Sequence, residues 1–373
     1  MFDAQRWVAV PPGFWAVVFF VFGSIVGSFL NVCIYRLPRG QSIVWPGSHC
    51  THCQRAIPWF LNIPLASWLW LRGRCRFCGG PISARYFLVE LLTATLFLGC
   101  WLAFGEQSAW VALVYALVLA GLTAATFIDL EHFIIPDEIT FGGMLAGLLC
   151  SLLLPELHQA PSWLEALRCC VIGMAVGAGV IYFFVRLGKL LFGRQKFDLP
   201  PDSRVYFTET SLVLPGQEIS FEDIFYRKPD TIQLEAKLVE MVDRGYRNVP
   251  VRMRQDTLTI GPDQYQTEQV PCLEVVTDRI VVPREAMGMG DVKFMGAIGA
   301  FVGWKGALFT LMASAMVGAV LGLTLIALRR RAWSSRIPYG PYLALAAALW
   351  IFTGDHLFKW WSLWTSTPER FLR

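Results

Sequence analysis

Four of the ten cysteines form two pairs with the spacing of metal ligands, Cys50-x-x-Cys53 and Cys75-x-x-Cys78. Two thiolates on one tight turn occupy adjacent corners of a tetrahedron, and two such turns complete a four-cysteine site of the kind that holds structural Zn²⁺. A site with four cysteine ligands has no open coordination position, so the pattern predicts a metal that stabilises a fold and takes no part in catalysis.

Other interpretations of this pattern remain open. The pairs could be redox-active dithiols, or the four cysteines could be unrelated. His49 and His52 flank the first pair, and either could replace one cysteine as a ligand.

Two aspartates, Asp129 and Asp291, stand at the ends of long apolar stretches. A carboxylate beside a membrane is costly to desolvate, and therefore indicates a function. Two carboxyl groups held close together cannot both ionise, so one keeps a proton and polarises a carbonyl group while the other takes a proton from water. Asp129 and Asp291 are therefore predicted to be a catalytic pair of the aspartic-protease type.

The residues around the two aspartates fit this prediction. Gly288 and Gly290 precede Asp291 and would allow close approach of an extended substrate or a neighbouring helix. Glu131 is a weaker rival for the catalytic role. Asp137 follows Ile-Pro and is predicted to be the negative charge at the start of the next helix.

The composition excludes an ordinary soluble domain, because 55% of the residues are hydrophobic and 16% are charged, against about 25% charged residues in soluble domains. Apolar stretches that could cross a membrane as helices recur along the chain. The sequence predicts eight spans, at 13–35, 86–104, 108–129, 139–154, 167–190, 291–303, 306–328 and 338–353.

Arginines crowd the first and last connections between these spans. By the positive-inside rule these connections are cytoplasmic, which places both predicted aspartates at the cytoplasmic side and both termini outside. The arginines are Arg36, Arg39, Arg55, Arg72, Arg74, Arg76, Arg85, Arg329, Arg330, Arg331 and Arg336.

Residues 191–285 break the apolar pattern, because they are rich in charges and contain alternating stretches typical of strands. The strands are predicted at 205–208, 219–225, 249–253 and 273–282, and a helix is predicted at 233–242. We expect a small α+β insert on the cytoplasmic side.

Seven blocks of sequence together resemble the bacterial type IV prepilin peptidases, also called leader peptidase/N-methyltransferases. Besides the cysteine pairs they are GSFLNVCIYRLP at 27–38, NIPLASWL at 62–69, RYFLVELLTA at 85–94, IDLEHFIIPDEIT at 128–140, GMGDVKFMGAIGAFVGW at 288–304 and IPYGPYLALAA at 337–347. The resemblance covers nearly the whole chain outside 191–285, although the family's usual connection at that point is short. It places the family's catalytic pair, including the GxGD aspartate, on Asp129 and Asp291.

The resemblance implies an α-helical polytopic protein of the bacterial inner membrane that cuts type IV prepilins or type II secretion pseudopilins after a glycine. It also implies N-methylation of the new amino terminus by S-adenosylmethionine, for which Gly73, Arg85 and Glu90 are candidates. These three could instead be a knuckle turn, a positive-inside anchor and a helix-end carboxylate. We expect membrane lipid as a further partner, and no nucleic acid.

Two other classes of function are alternatives. A transporter or channel could carry acids and glycine-rich helices, but no inverted repeat is visible in the sequence. A non-catalytic membrane protein of pilus or secretion assembly would not need the aspartate pair. The expected division of the chain is 1–35 first span, 36–85 zinc loop, 86–190 spans two to five, 191–285 insert, 286–353 spans six to eight and 354–373 periplasmic tail.

Overall fold

The computed structural model of the chain describes residues 12–192, 194–221, 224–225, 230–241, 244–270, 272–283, 288–328 and 338–365. The chain divides into two compact units. The first is a helical unit that contains residues 1–181 and 289–373, and the second contains residues 182–288. Arginines 329–331 and 336, which support the predicted orientation, lie outside the described residues.

Long apolar helices build the helical unit. In the described part of the chain, five helices are long and apolar enough to cross a membrane, and the stretch Gly340–Gly354 forms a shorter apolar helix. The chain is therefore a polytopic membrane protein. Four of the five long helices agree with single predicted spans, and the fifth, Met289–Thr324, covers the two spans predicted at 291–303 and 306–328. The seven longest helices of the described residues, numbered in chain order, are α1 Pro12–Arg36, α2 Ala84–Phe104, α3 Ala109–His132, α4 Asp137–Leu153, α5 Trp163–Phe192, α6 Met289–Ala327 and α7 Gly340–Thr365.

Helix α6 is broken at Gly303, which has φ 68° and ψ 179°. A positive φ of this kind is costly for residues other than glycine, so the break lies where the sequence permits it. The part after the break packs along α7, with the rings of Phe309 and Trp350 5.2 Å apart and Ser314 Oγ 2.8 Å from Tyr339 Oη. The predicted boundary between spans 291–303 and 306–328 falls at this break. Helix α7 continues to Thr365, into the stretch predicted to be a tail.

The first part of α6 packs against α4 and α5 through residues without bulky side chains. A Cβ atom added to Gly299 would lie 2.1 Å from the carbonyl oxygen of Gly173 on α5, and one added to Gly147 on α4 would lie 2.5 Å from the Cβ of Ala300. Backbones can approach this closely only where side chains are absent, an arrangement common between membrane helices. These contacts hold the segment that begins with Asp291.

The described residues of the insert form a single antiparallel sheet of eight strands, in the order β3-β2-β1-β8-β4-β5-β6-β7. Its core contains fully buried Val205, Val239, Ile260, Val275 and Ile280. The strands are β1 Arg194–Phe207, β2 Ser211–Leu214, β3 Gln217–Ser220, β4 Ile232–Glu240, β5 Gly245–Met253, β6 Thr257–Ile260, β7 Asp263–Gln266 and β8 Leu273–Pro283.

The predicted helix at 233–242 is wrong, because residues 233–240 lie in β4, which pairs with β5 and β8; residue 242 lies outside the described residues. Ile232, Leu234 and Ala236 alternate into the sheet core while Glu235 and Lys237 stay outside it. The described part of the insert contains strands and 3₁₀ turns, so the α+β expectation is corrected to a sheet. The strands predicted at 205–208, 249–253 and 273–282 agree with β1, β5 and β8, whereas only the start of 219–225 lies in a strand, β3.

The first and last strands of the insert are neighbours. Strand β1 follows α5 after one residue, β8 is the last strand before α6, and Arg194 at the start of β1 is the cross-strand partner of Pro283 at the end of β8. Opposite residues of an antiparallel pair have Cα atoms about 5 Å apart. The insert therefore begins and ends at strand positions that are neighbours in its sheet, so it can replace a short connection.

The glycine contact between α5 and α6 gives a test of this packing. Gly299→Ala should lower the free energy of unfolding by about 1–3 kcal/mol, because the new methyl group overlaps a backbone oxygen that cannot rotate away. The measurement is thermal or denaturant unfolding of the purified protein in detergent. Gly179→Ala, on α5 where a Cβ would meet nothing within 4 Å, is the matched control, and equal stability of the two variants would contradict the packing.

Candidate active site and metal centre

The two cysteine pairs lie on two turns with the same backbone hydrogen bonds. Cys50 N–H donates to Arg55 O at 3.0 Å, and Cys75 N–H donates to Gly80 O at 2.8 Å. The residue after each second cysteine has a positive φ, 58° at Gln54 and 71° at Gly79. The two turns are therefore equivalent knuckles, each of which directs two sulfurs to one side.

The sulfurs of Cys50, Cys53, Cys75 and Cys78 all lie within 4.8 Å of one another. Cys50 Sγ and Cys78 Sγ are 3.9 Å apart. A tetrahedral zinc with Zn–S bonds of about 2.3 Å requires sulfurs about 3.8 Å apart. The residues present therefore fit a four-coordinate metal such as Zn²⁺, and the predicted grouping of these four cysteines is confirmed.

The pKa values of these thiols reflect the backbone N–H groups of the knuckles and the closeness of the four sulfurs. The backbone N–H groups of Cys78 and Phe77 lower the pKa of the Cys75 thiol to about 6. At Cys78 the backbone N–H of Gly80 favours a lower pKa, but burial and the other cysteine sulfurs raise the pKa to about 11. Four sulfurs this close repel one another as thiolates, so full ionisation requires a cation among them.

The neighbouring histidines do not belong to this cluster in the part of the chain described. The group of side chains close enough to share a metal consists of the four cysteines. His49 Nδ1 lies 3.1 Å from Gly47 O, and the His52 ring lies against Gly80, where an added Cβ would be 3.0 Å from His52 Cδ2.

Asp129 is buried in the last turn of α3, and its carboxylate is held by a backbone group from the other end of the chain. Gly340 N–H, at the start of α7, donates to Asp129 Oδ2 at 2.8 Å. A Cβ on Gly340 would lie 2.7 Å from the same oxygen. The contact therefore requires a glycine at position 340.

Asp291 is buried in the first turn of α6, close enough to Asp129 for their charges to interact. The segments that carry them meet at Ile135, which lies beside both Gly290 and Gly340. Ile135 follows the αL residue Phe133, φ 56°, which ends α3 and turns the chain. The structure thus brings together the two aspartates that the sequence singled out, while Gly288 is exposed just before α6.

Two ion pairs involve residues that lie close to Asp129 and Asp291 in the chain. Lys293 Nζ, two residues after Asp291, lies 2.7 Å from Asp137 Oδ1 at the start of α4. Arg85, at the start of α2, pairs with Glu131, two residues after Asp129. Both ion pairs are partly exposed, so they contribute little stability. They join the ends of the helices that surround Asp129 and Asp291.

The candidates for methyl transfer occupy defined positions outside the aspartate pair. Glu90 is buried in α2 and accepts a hydrogen bond from Leu65 N–H at 2.7 Å. Gly73 has φ 66° in the turn before the second knuckle, against the Trp68 ring. In this structure Glu90 and Gly73 shape the cysteine-bearing loop, and their role in methyl transfer, with that of Arg85, stays a prediction.

The turn before α7 is a part of the site that the sequence analysis missed. Tyr339 and Gly340 belong to IPYGPYLALAA, a block that supported the resemblance but received no role. Gly340 contacts Asp129 directly, and Tyr339 Oη lies 2.8 Å from Ser314 Oγ on α6. The Gly-Pro pair is visible in the sequence, but the N–H group that Gly340 contributes has no side-chain signature.

Comparisons with known proteins assign this chain of membrane helices to a family. The bacterial peptidase A24 N-terminal domain matches residues 21–104, and the type IV leader peptidase family matches residues 116–195 and 272–323. Together these matches cover more than half of the chain. The chain belongs to the type IV leader peptidase family.

Individual relatives support the same assignment. A prepilin leader peptidase/N-methyltransferase of Aeromonas hydrophila is 30% identical over 366 residues, with 92% of each chain covered. One of Myxococcus xanthus is 49% identical over 182 residues, 48% of this chain and 51% of the relative. A type 4 prepilin-like proteins leader peptide-processing enzyme of Escherichia coli is 41% identical over 201 residues, 49% of this chain and 70% of the relative. No solved structure matches.

The cysteine cluster predicts the metal content of the protein. The purified, reduced protein should contain about one Zn²⁺ per chain, because the four sulfurs complete a tetrahedron. Elemental mass spectrometry checks this. A Cys53→Ser/Cys78→Ser variant should lose the metal, and Cys272→Ser, an exposed cysteine of the insert, should keep it. A wild-type protein without metal would contradict the assignment.

Proposed function

We propose that this protein is a membrane aspartyl endopeptidase that removes the leader of type IV prepilins or type II secretion pseudopilins. Family membership supports processing of prepilins. The observation that carries the aspartyl mechanism is the burial of Asp129 and Asp291 at helix ends whose neighbouring segments meet at Ile135. We further propose that the cut follows a glycine, as the resemblance implies.

The chemistry needs two carboxyl groups that share one proton. The ionised carboxylate takes a proton from a water molecule as the water oxygen attacks the scissile carbonyl carbon, and the protonated carboxyl gives its proton to the carbonyl oxygen. When the tetrahedral intermediate collapses, the C–N bond breaks and the amine leaves with the proton taken from water. The hydroxyl proton returns to the carboxyl that supplied the first proton, which restores the pair.

We place the reaction at the cytoplasmic face of a bacterial inner membrane. This orientation rests on the arginines between α1 and α2, which the positive-inside rule assigns to the cytoplasm. The Arg36 side chain binds that connection to the end of α1, donating to Ser42 O at 2.9 Å and Gly47 O at 3.3 Å. The same orientation makes the insert cytoplasmic, and it makes membrane lipid the solvent of the helices.

A structural Zn²⁺ would be bound by the four cysteines and would link the two knuckles of the cytoplasmic loop. It supplies no catalytic chemistry, because four protein ligands leave no open position. Around it, Glu90 holds the backbone of Leu65, and Ser67 Oγ accepts from Ile63 N–H at 3.0 Å. The loop is thus anchored to α2 independently of the metal.

The second proposed activity is methylation of the new amino terminus with S-adenosylmethionine. Its support is the N-methyltransferase in the names of the relatives. The cytoplasmic loop and the start of α2 carry the candidates Gly73, Arg85 and Glu90. The combined test of both activities is incubation of the detergent-solubilised protein with a prepilin and S-adenosylmethionine, followed by mass spectrometry of the cut site and of the new terminus.

Replacement of either aspartate should stop cleavage. Asp129→Asn and Asp291→Asn should each lower turnover by about 10²–10⁴-fold, the usual contribution of a general acid or base, while membrane insertion and metal content are kept. Glu131→Gln and Asp137→Asn are the matched controls and should lose less, because their partners are Arg85 and Lys293. Near wild-type cleavage by either aspartate variant would disprove the pair.

Shortening the insert should separate substrate selection from catalysis. Replacing residues 195–282 by a short Gly/Ser connection joins Arg194 to Pro283, which are already cross-strand partners. We expect cleavage of a short prepilin peptide to be preserved and processing of the cognate full-length substrate to fall, measured as kcat/KM for both. Equal, complete loss on both substrates in a well-folded, inserted variant would show that the insert completes the active site.

A further inference from the structure

The first turn of α7 has one N–H group that the turn itself does not use, and that group is bonded to Asp129. The N–H groups of Tyr342 and Leu343 donate to Tyr339 O, at 3.1 and 3.2 Å. Pro341 has no N–H group. Gly340 N–H therefore remains, and it donates to Asp129 Oδ2 at 2.8 Å.

This position favours a negative charge on Asp129. An N–H group that donates to a carboxylate stabilises the ionised form. The amino end of a helix also carries a partial positive charge, which attracts an anion within the first turn. Both effects act on the same oxygen of the same carboxyl group.

The surroundings of Asp291 differ. Among the described residues, its carboxyl oxygens accept no hydrogen bond from a backbone N–H group. The neighbouring Tyr339 hydroxyl lies 2.8 Å from Ser314 Oγ, and either hydroxyl can be the donor in that contact.

The two sides of the pair are thus unlike. Asp129 accepts a hydrogen bond from a backbone N–H group at the amino end of a helix, and Asp291 has no such donor among the described residues. A fixed donor suits a carboxylate, whereas a buried carboxyl group without one is more stable with its proton.

We propose that the Gly340 N–H group in the turn before α7 divides the roles of the pair, so that Asp129 is the ionised general base and Asp291 holds the proton as the general acid. This inference rests on the proposed function. The water proton then goes to Asp129, and the proton of Asp291 goes to the scissile carbonyl oxygen. Gly340 is a positioning residue, because it acts through Asp129.

Two carboxyl-directed reagents test the division without any substrate turnover. An epoxide is opened by a carboxylate, whose oxygen forms the ester C–O bond while the ring C–O bond breaks and the alkoxide takes a proton from water. A diazoacetyl ester instead takes the proton of a protonated carboxyl, loses N₂ and forms an ester with the carboxylate left behind. Peptide mass spectrometry of the labelled, detergent-solubilised full chain locates each ester.

The expected result is the epoxide ester on Asp129 and the diazo-derived ester on Asp291. Reversed positions, equal labelling of both aspartates by one reagent, or no labelling of the pair while exposed carboxyl groups react would overturn the division. Because labelling requires no cleavage, this result is independent of the proposed peptidase activity. Retention of cleavage by Asp129→Asn would instead show that the proposed function has failed.

Gly340→Ala tests the cause of the division. Its methyl group would displace the Asp129 carboxylate, so epoxide labelling of Asp129 should fall by about tenfold or more, as expected for loss of a hydrogen bond to a charged group. Gly121→Ala, on the same helix as Asp129 with open space around the added Cβ, should label as wild type. Unchanged labelling of a folded Gly340→Ala protein would overturn the role of the turn.

Discussion

Burying a carboxylate among apolar helices costs several kcal/mol unless fixed dipoles replace the water it loses. Asp129 meets this requirement through one backbone N–H group at the amino end of α7. That group is available because the first N–H groups of a helix have no partner within the helix, and glycine allows the oxygen to come this close. The hydrogen bond joins the end of α3 to the start of α7, so the position of Asp129 depends on a contact between residues 211 positions apart.

The remaining contacts around the pair hold the helices that this bond connects. The glycine-lined packing of α6 against α4 and α5 holds the segment that begins at Asp291. The Lys293–Asp137 pair joins the start of α6 to the start of α4, and the Arg85–Glu131 pair joins the start of α2 to the end of α3. Neither ion pair is well buried, so their value is geometric: each joins a residue near one aspartate to a different helix end.

Much of the site could be predicted because charges and thiols are conspicuous in an apolar sequence. Asp129, Asp291 and the four cysteines are recognisable by residue type and spacing, and the structure places each set together. Gly340 could not be found this way, since its contribution is a main-chain N–H group with no side-chain signature. The strand at 232–240 was misassigned because Leu234 and Leu238 also fit a helical period, and the pairing with β5 and β8 that decides the matter is not local.

The break at Gly303 also bears on the thickness of the membrane beside the active site. From Asp291 to Val302 the helix has twelve residues, which rise about 18 Å, whereas the hydrocarbon core of a bilayer is about 30 Å thick. Twelve residues alone are too few to cross an undeformed bilayer, and a span that is too short is accommodated by thinning of the lipid, by snorkelling of flanking residues or by oligomerisation. Local thinning beside this part of α6 would shorten the apolar distance between water and the two buried aspartates.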